Sequence, residues 1–191
     1  MSLCIPPNHG KPHGVAKTDT LPDRICTEII GLHNRKHNEY VAGKVYTEDG
    51  KLSNVVTIRQ VDTWRIHEKE DWLDTLLIEL VVKANVNFDY NLSGLLERPQ
   101  LLRYKTPSIG YEWHSDTGQG DASTRKISCS ILLNNSFKGG NLEFFLNGKQ
   151  VCPMNKGDSI FFSSFISHRV TKITEGERWA LVAWFSGPPF R

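Results

Sequence analysis

His114 and Asp116 stand two residues apart in the segment Gly110-Tyr111-Glu112-Trp113-His114-Ser115-Asp116. Side chains of a strand alternate between faces, so residues i and i+2 project together. An imidazole and a carboxylate thereby leave one surface side by side, which suits a metal that needs two neighbouring ligands. His168, in Ser167-His168-Arg169-Val170, is the best candidate for a third. Two His and one carboxylate on one side of a metal, with the other side open, suit non-haem Fe(II). Taken singly, each element is weak: an HxD pair arises on any strand with a wet face, and a lone His is usually solvated. Arg178 strengthens the set. It opens the apolar run Arg178-Trp179-Ala180-Leu181-Val182-Ala183-Trp184-Phe185, which reads as a buried strand. A charge at the mouth of such a run is rarely buried without a partner, and a guanidinium fork suits a carboxylate. A salt bridge to one of the chain's own Asp or Glu residues is the plainer alternative.

These residues need a rigid frame. Residues 1–19 read as an irregular, Pro- and Gly-rich arm. Thr20-Leu21-Pro22-Asp23 starts a helix whose apolar face carries Ile25, Ile29 and Leu32. Residues 41–53, with Gly43 and Glu48-Asp49-Gly50, read as a hairpin or as a loop that closes over substrate. Residues 54–58 read as a strand and 59–64 as a connection. Trp72, Leu73, Leu76, Leu77, Leu80, Val81 and Ala84 follow helical spacing, which predicts an amphipathic helix over about 70–86 packed on a sheet. Short strand signals then recur: 100–105, 111–114, 126–133, 141–145, 149–152, 159–162, 167–173 and 178–185. Turn signals separate them, among them Lys138-Gly139-Gly140, Asn147-Gly148, Lys156-Gly157-Asp158 and Glu175-Gly176. The expected fold is mainly β with flanking helices: a double-stranded β-helix (jelly roll) with the N-terminal helices packed on one sheet. Residues 1–191 read as a single domain with its catalytic core at about 97–187.

Composition narrows the setting. The chain has 191 residues, a net charge of +2 and an apolar fraction of 39%. That balance gives no electrostatic case for a nucleic-acid partner. No apolar run reaches the ~18 residues of a membrane span. The start lacks the apolar stretch of a signal peptide, and Cys4, Cys26, Cys129 and Cys152 show no metal-type spacing. The expectation is a reduced, cytoplasmic setting.

The ordered set Tyr104…Gly110-Tyr111-x-x-His114-x-Asp116, Gly139-Gly140-x-Leu142, His168 and Arg178 resembles the 2-oxoglutarate- and Fe(II)-dependent dioxygenases of the prolyl 4-hydroxylase type over roughly residues 101–186. The resemblance implies that His114, Asp116 and His168 are the catalytic, iron-binding residues. It implies that Arg178 binds the far carboxylate of 2-oxoglutarate and that Tyr104 hydrogen-bonds this co-substrate. Fe(II), 2-oxoglutarate, O2 and accessory ascorbate are the implied cofactors, with succinate and CO2 as co-products. Collagen-type members typically carry Lys where this chain has Arg178. Oxygen-sensing members carry Arg but pair it with a Tyr near where Leu132 stands. A proline-containing peptide or protein is the expected substrate, with Arg125, Trp113, Trp184 and Tyr46 as candidate contacts. The alternatives are a small-molecule hydroxylase of the same superfamily and a non-catalytic cupin-like binding domain. A nucleic-acid demethylase is disfavoured, since its second Arg would fall where Trp184 sits.

Overall fold

In the computed structural model the described residues are 14–42, 45–46, 52–53 and 60–189. For residues 42, 45–46 and 52–53 the description is of backbone alone. In chain order the elements are Val15–Lys17 (β1), Asp23–Gly31 (α1), Glu39–Ala42 (β2), Val45–Tyr46 (β3), Leu52–Ser53 (β4), Asp62–Arg65 (β5) and Asp71–Asn85 (α2). Gly94–Leu95 (β6), Gln100–Lys105 (β7), Tyr111–His114 (β8), Arg125–Leu132 (β9), Phe137–Gly139 (β10) and Leu142–Phe145 (β11) follow. Lys149–Cys152 (β12), Ser159–Ser163 (β13), His168–Val170 (β14) and Ile173–Ser186 (β15) complete them.

Local chemistry sets both helices. Pro22, with φ −60°, precedes α1, and Asp23 occupies its first turn. In α2, Asp71 and Asp74 sit in the first turn and Lys83 in the last, which complements the helix dipole. Leu73, Leu77, Leu80, Val81 and Ala84 bury one face of α2. Cys26 is buried with Ile29 on α1, whereas Ile25 is half-buried.

Among the described residues the larger sheet runs β1–β13–β9–β15–β7–β5–β2, with β6 and β10 also pairing to β15. A second sheet runs β12–β11–β14–β8. Strand alternation gives the larger sheet two different faces. Leu101, Ile127, Cys129, Ile131, Phe161, Trp179, Leu181, Ala183 and Phe185 join the α1 and α2 side chains in one core. Leu102, Tyr104, Ile160 and Phe162 point the other way and meet Leu142, Phe144 and Val170 of the smaller sheet. The two sheets therefore enclose a common interior, as in a jelly roll, and the helices cover the outside of the larger one.

Several expectations on boundaries are corrected. The arm is not irregular throughout, because β1 pairs with β13, Val15 opposite Phe162; residues 1–13 lie outside the described residues. Residues 62–65 form β5 rather than a connection, pairing with β7, whereas the strand expected at 54–58 lies outside the described residues. Val45 and Tyr46 pair with Ser53 and Leu52 as an antiparallel hairpin. The strand expected at 167–173 ends at Val170. Glu175-Gly176 does not turn the chain but runs within β15, where Gly176 pairs with Phe137 of β10. Such short ladders carry too few residues for a periodic signal.

One glycine fixes how the β7–β8 connection meets β14. Gly110 has φ +86°, and a Cβ there would lie 2.1 Å from the Val170 carbonyl oxygen. That neighbour is backbone and cannot yield. Gly110→Ala should therefore lose on the order of 2 kcal/mol or more in urea melts. Wild-type stability in this variant would contradict the described approach.

Candidate functional site

β14 pairs with β8 so that His168 stands opposite His114. Their rings lie 4.2 Å apart between centroids. Tyr111 stacks on His114 at 3.5 Å, and Phe162 meets His168 edge-on at 4.6 Å. Asp116 lies two residues beyond the end of β8, so strand alternation alone does not place it. Its N–H donates to the Ser164 carbonyl at 2.8 Å, which draws the chain toward the end of β13. His114, Asp116 and His168 each offer a ligand atom, all within 4.8 Å of one another, and could hold a metal ion.

The two imidazoles are oriented by their own backbone. His114 Nδ1 donates to the Glu112 carbonyl at 2.7 Å, and His168 Nδ1 donates to the Ile166 carbonyl at 3.0 Å. With Nδ1 protonated, each Nε2 keeps its lone pair and turns it inward. His114 Nε2 lies 3.7 Å from Asp116 Oδ1, and His168 Nε2 lies 3.6 Å from Asp116 Oδ2. Burial opposes ionisation of Asp116. The charge that His168 and His114 carry when their rings are protonated, the Ser128 hydroxyl and the Arg125 guanidinium outweigh it and hold the carboxyl below the usual carboxylate range. A carboxylate between two inward lone pairs is a cation site in waiting, and its two-nitrogen, one-oxygen donor set fits Fe(II).

Arg178 is 2% exposed. It pairs in register with Tyr104 across β15 and β7, and its guanidinium lies 5.6 Å from the centre of the Tyr104 ring. Its Nε has no hydrogen-bond partner. No carboxylate among the described residues pairs with it, so the internal salt bridge is not found there. Desolvation lowers its pKa, with only Tyr104 acting against that. Gly140 makes room for it: with φ +63°, a Cβ there would stand 2.8 Å from Arg178 Cδ. A buried guanidinium facing the jelly-roll interior, with no carboxylate partner among the described residues, offers a fork that suits a carboxylate.

The structure sorts the four remaining candidates. Arg125 is not solvent-held: it forks onto Glu97 with both contacts at 2.5 Å. It also donates to the Asp116 carbonyl at 3.0 Å and lies 4.2 Å over the Trp184 ring. Trp184 thus backs the site through Arg125. Trp113 is not brought to the cluster. It leaves β8 on the face opposite His114 and meets Arg169 at 4.8 Å and Phe145 at 6.1 Å. The Tyr46 side chain lies outside the described residues. Sequence reasoning missed Ser128, which donates to Asp116 Oδ2 at 2.6 Å, and Glu97. Serines spaced among Ile127, Cys129, Ile131 and Leu132, at 128 and 130, are the signal that could have pointed to Ser128.

Residues 99–186 match the 2OG-Fe(II) oxygenase superfamily. A PKHD-type hydroxylase of Psychrobacter sp. (strain PRwf-1) is 25% identical over 150 residues, 72% of this chain and 58% of that protein. A PKHD-type hydroxylase of Colwellia psychrerythraea is 30% identical over 92 residues, 45% of this chain and 41% of that protein. The chain thus spans only part of the length of these relatives. In fold it is similar to a Pseudomonas putida prolyl-4-hydroxylase, with a TM-score of 0.71 at 20% identity, covering 92% of this chain and 93% of that one. It is similar too to a Trichoplax adhaerens prolyl hydroxylase in complex with a hypoxia inducible factor peptide fragment. That likeness has a TM-score of 0.72 at 18% identity and covers 92% and 84% of the two chains. No helix among the described residues is long and apolar enough to cross a membrane.

An unpaired buried charge destabilises the fold that contains it. Arg178→Met, which keeps the stem and removes the charge, should raise the thermal midpoint of the ligand-free protein. A lowered midpoint would mean that Arg178 has a structural anionic partner.

Proposed function

We propose, from the 2OG-Fe(II) oxygenase superfamily domain at residues 99–186, that this chain is an Fe(II)- and 2-oxoglutarate-dependent hydroxylase acting on peptidyl proline. The observation that carries this reading is the His–Asp–His group together with the buried Arg178 inside one jelly roll. A two-His, one-carboxylate set could hold the metal, and the buried Arg178 has no carboxylate partner among the described residues, its Nε making no hydrogen bond there. In this reading one dicarboxylate with a keto group at one end engages both.

In this reading His114 Nε2, His168 Nε2 and Asp116 bind Fe(II). The bound metal, with 2-oxoglutarate and O2, supplies oxidative decarboxylation to succinate and CO2 and the oxygen for C–H hydroxylation. The chain's own work is binding and orientation. Arg178 holds the far carboxylate of 2-oxoglutarate, and Tyr104 beneath it fixes the direction of approach. Phe162 and Phe144, packed on His168 at 4.6 and 6.2 Å, keep water from that ligand's flank. Arg125, tied to Glu97, steadies the Asp116 main chain. In this reading the substrate is a prolyl residue and the chain acts as a single domain. Support for a peptide comes from the fold likeness to a prolyl hydroxylase in complex with a peptide fragment.

The test is succinate release with Fe(II) and 2-oxoglutarate, without and with proline-containing peptides. Basal release and its stimulation by peptide, with a mass gain of one oxygen on proline, are expected. Stimulation by a free amino acid or metabolite but by no peptide would move the assignment to a small-molecule hydroxylase. Asp116→Ala and His168→Ala should abolish release, and retained turnover in both would refute the site. Hydrogen bonds to a charged group contribute about 1.5–3 kcal/mol. Arg178→Ala should thus raise the 2-oxoglutarate KM roughly ten- to a hundredfold, and Arg178→Lys less.

A further inference from the structure

Asp116 is held at three separate atoms. Its N–H donates to the Ser164 carbonyl at 2.8 Å, and its carbonyl accepts from Arg125 Nη1 at 3.0 Å. Its Oδ2 accepts from Ser128 Oγ at 2.6 Å. Ser128 Oγ also lies 3.0 Å from Ser164 Oγ. Both serines are buried, Ser128 at 1% and Ser164 at 0% exposure.

A serine hydroxyl has one proton and can donate it once. The shorter contact and the charged acceptor assign the Ser128 proton to Asp116 Oδ2. Ser128 Oγ then accepts from Ser164, so the chain runs Ser164→Ser128→Asp116 with both O–H dipoles directed at the carboxylate. Ser128 is well placed to be rigid. It lies mid-strand in β9, opposite Phe162 of β13 on one side and Trp184 of β15 on the other. Asp116 Oδ1, in contrast, accepts no hydrogen bond among the described residues.

We infer that Ser128, backed by Ser164, is a positioning residue that engages Oδ2 and leaves Oδ1 as the one oxygen Asp116 gives to the metal. A carboxylate free to rotate can chelate through both oxygens or swing away. One whose second oxygen is tied presents a fixed single donor, and the site keeps its open positions for co-substrate and O2. This inference rests on the metal reading proposed above and deepens it.

The test measures Mn(II) affinity of the ligand-free protein by electron paramagnetic resonance, with no turnover involved. Removing a group that orients a metal ligand typically weakens metal affinity about ten- to a hundredfold. Ser128→Ala should do so, and the 2-oxoglutarate KM at saturating metal should rise, because the freed Oδ2 competes for the positions that the co-substrate takes. Ser164→Ala should weaken affinity less. The double variant should be no worse than Ser128→Ala alone, because Ser164 acts through Ser128. Ser130→Ala, two residues along the same face of β9, removes a hydroxyl with no tie to Asp116 and should bind Mn(II) like wild type. If Ser128→Ala does not fold, the near-isosteric Ser128→Cys is measured in its place with the same expectation. Wild-type Mn(II) affinity in the Ser128 variant, or additive losses from the two serines, would overturn the inference while leaving the metal site standing. Unchanged Mn(II) affinity in Asp116→Ala would overturn the metal site itself.

Discussion

The site depends on one cross-strand pairing. β8 and β14 come from distant parts of the chain, and their antiparallel register sets His168 against His114. Side chains on a strand alternate, so a slip of one residue would turn Trp113 inward and His114 to the outside. The irregularity in the ladder between His168 and Val170 re-aims one strand against the other, as bulges near functional sites do. Everything else in the cluster is attached to this pairing. Asp116 follows β8 and is drawn in by the end of β13, and each ring is fixed by a carbonyl of its own segment.

A second tension runs through β15. Its helix-facing side chains, from Trp179 to Phe185, belong to the larger core. The other face carries Arg178, desolvated and without a carboxylate partner among the described residues. Burying an unpaired charge costs several kcal/mol, so the helix-side core must hold the sheet against it. Arg103 shows what an ordinary arginine on the same sheet does: it pairs with Asp62 at 2.7 Å and lies 5.3 Å over Trp64. The described residues neutralise Arg103 and give Arg178 no carboxylate, and the proposed contact of Arg178 with 2-oxoglutarate rests on that contrast.

Much of this was legible in the chain. The i, i+2 spacing of His114 and Asp116, the isolated His168 and the charge opening an apolar run were each weak, and only together did they point to one interior. The α2 stripe and the rhythm of turn signals conveyed a jelly roll with helices outside. What the sequence hid has definite causes. β1, β6 and β10 are too short for periodicity, and β5 lies in a stretch of mixed polarity. Asp116 lies past its strand, so alternation was the right neighbourhood but not the mechanism. Trp113 fails by parity, being odd to His114 on the same strand. Arg125 looked like a surface or substrate residue because its partners, Glu97 and the Asp116 carbonyl, are distant or backbone. Ser128 and Ser164 resemble ordinary buried serines until their distances to Asp116 are known.

The proposed function makes the His–Asp–His group and Arg178 two ends of one receptor for 2-oxoglutarate. A crystal structure grown with Mn(II) and 2-oxoglutarate under exclusion of oxygen tests it most directly. The account predicts one metal on His114, Asp116 and His168, with the far carboxylate of 2-oxoglutarate within hydrogen-bond distance of the Arg178 guanidinium. Metal bound elsewhere, or 2-oxoglutarate bound with Arg178 turned away from it, would contradict the account.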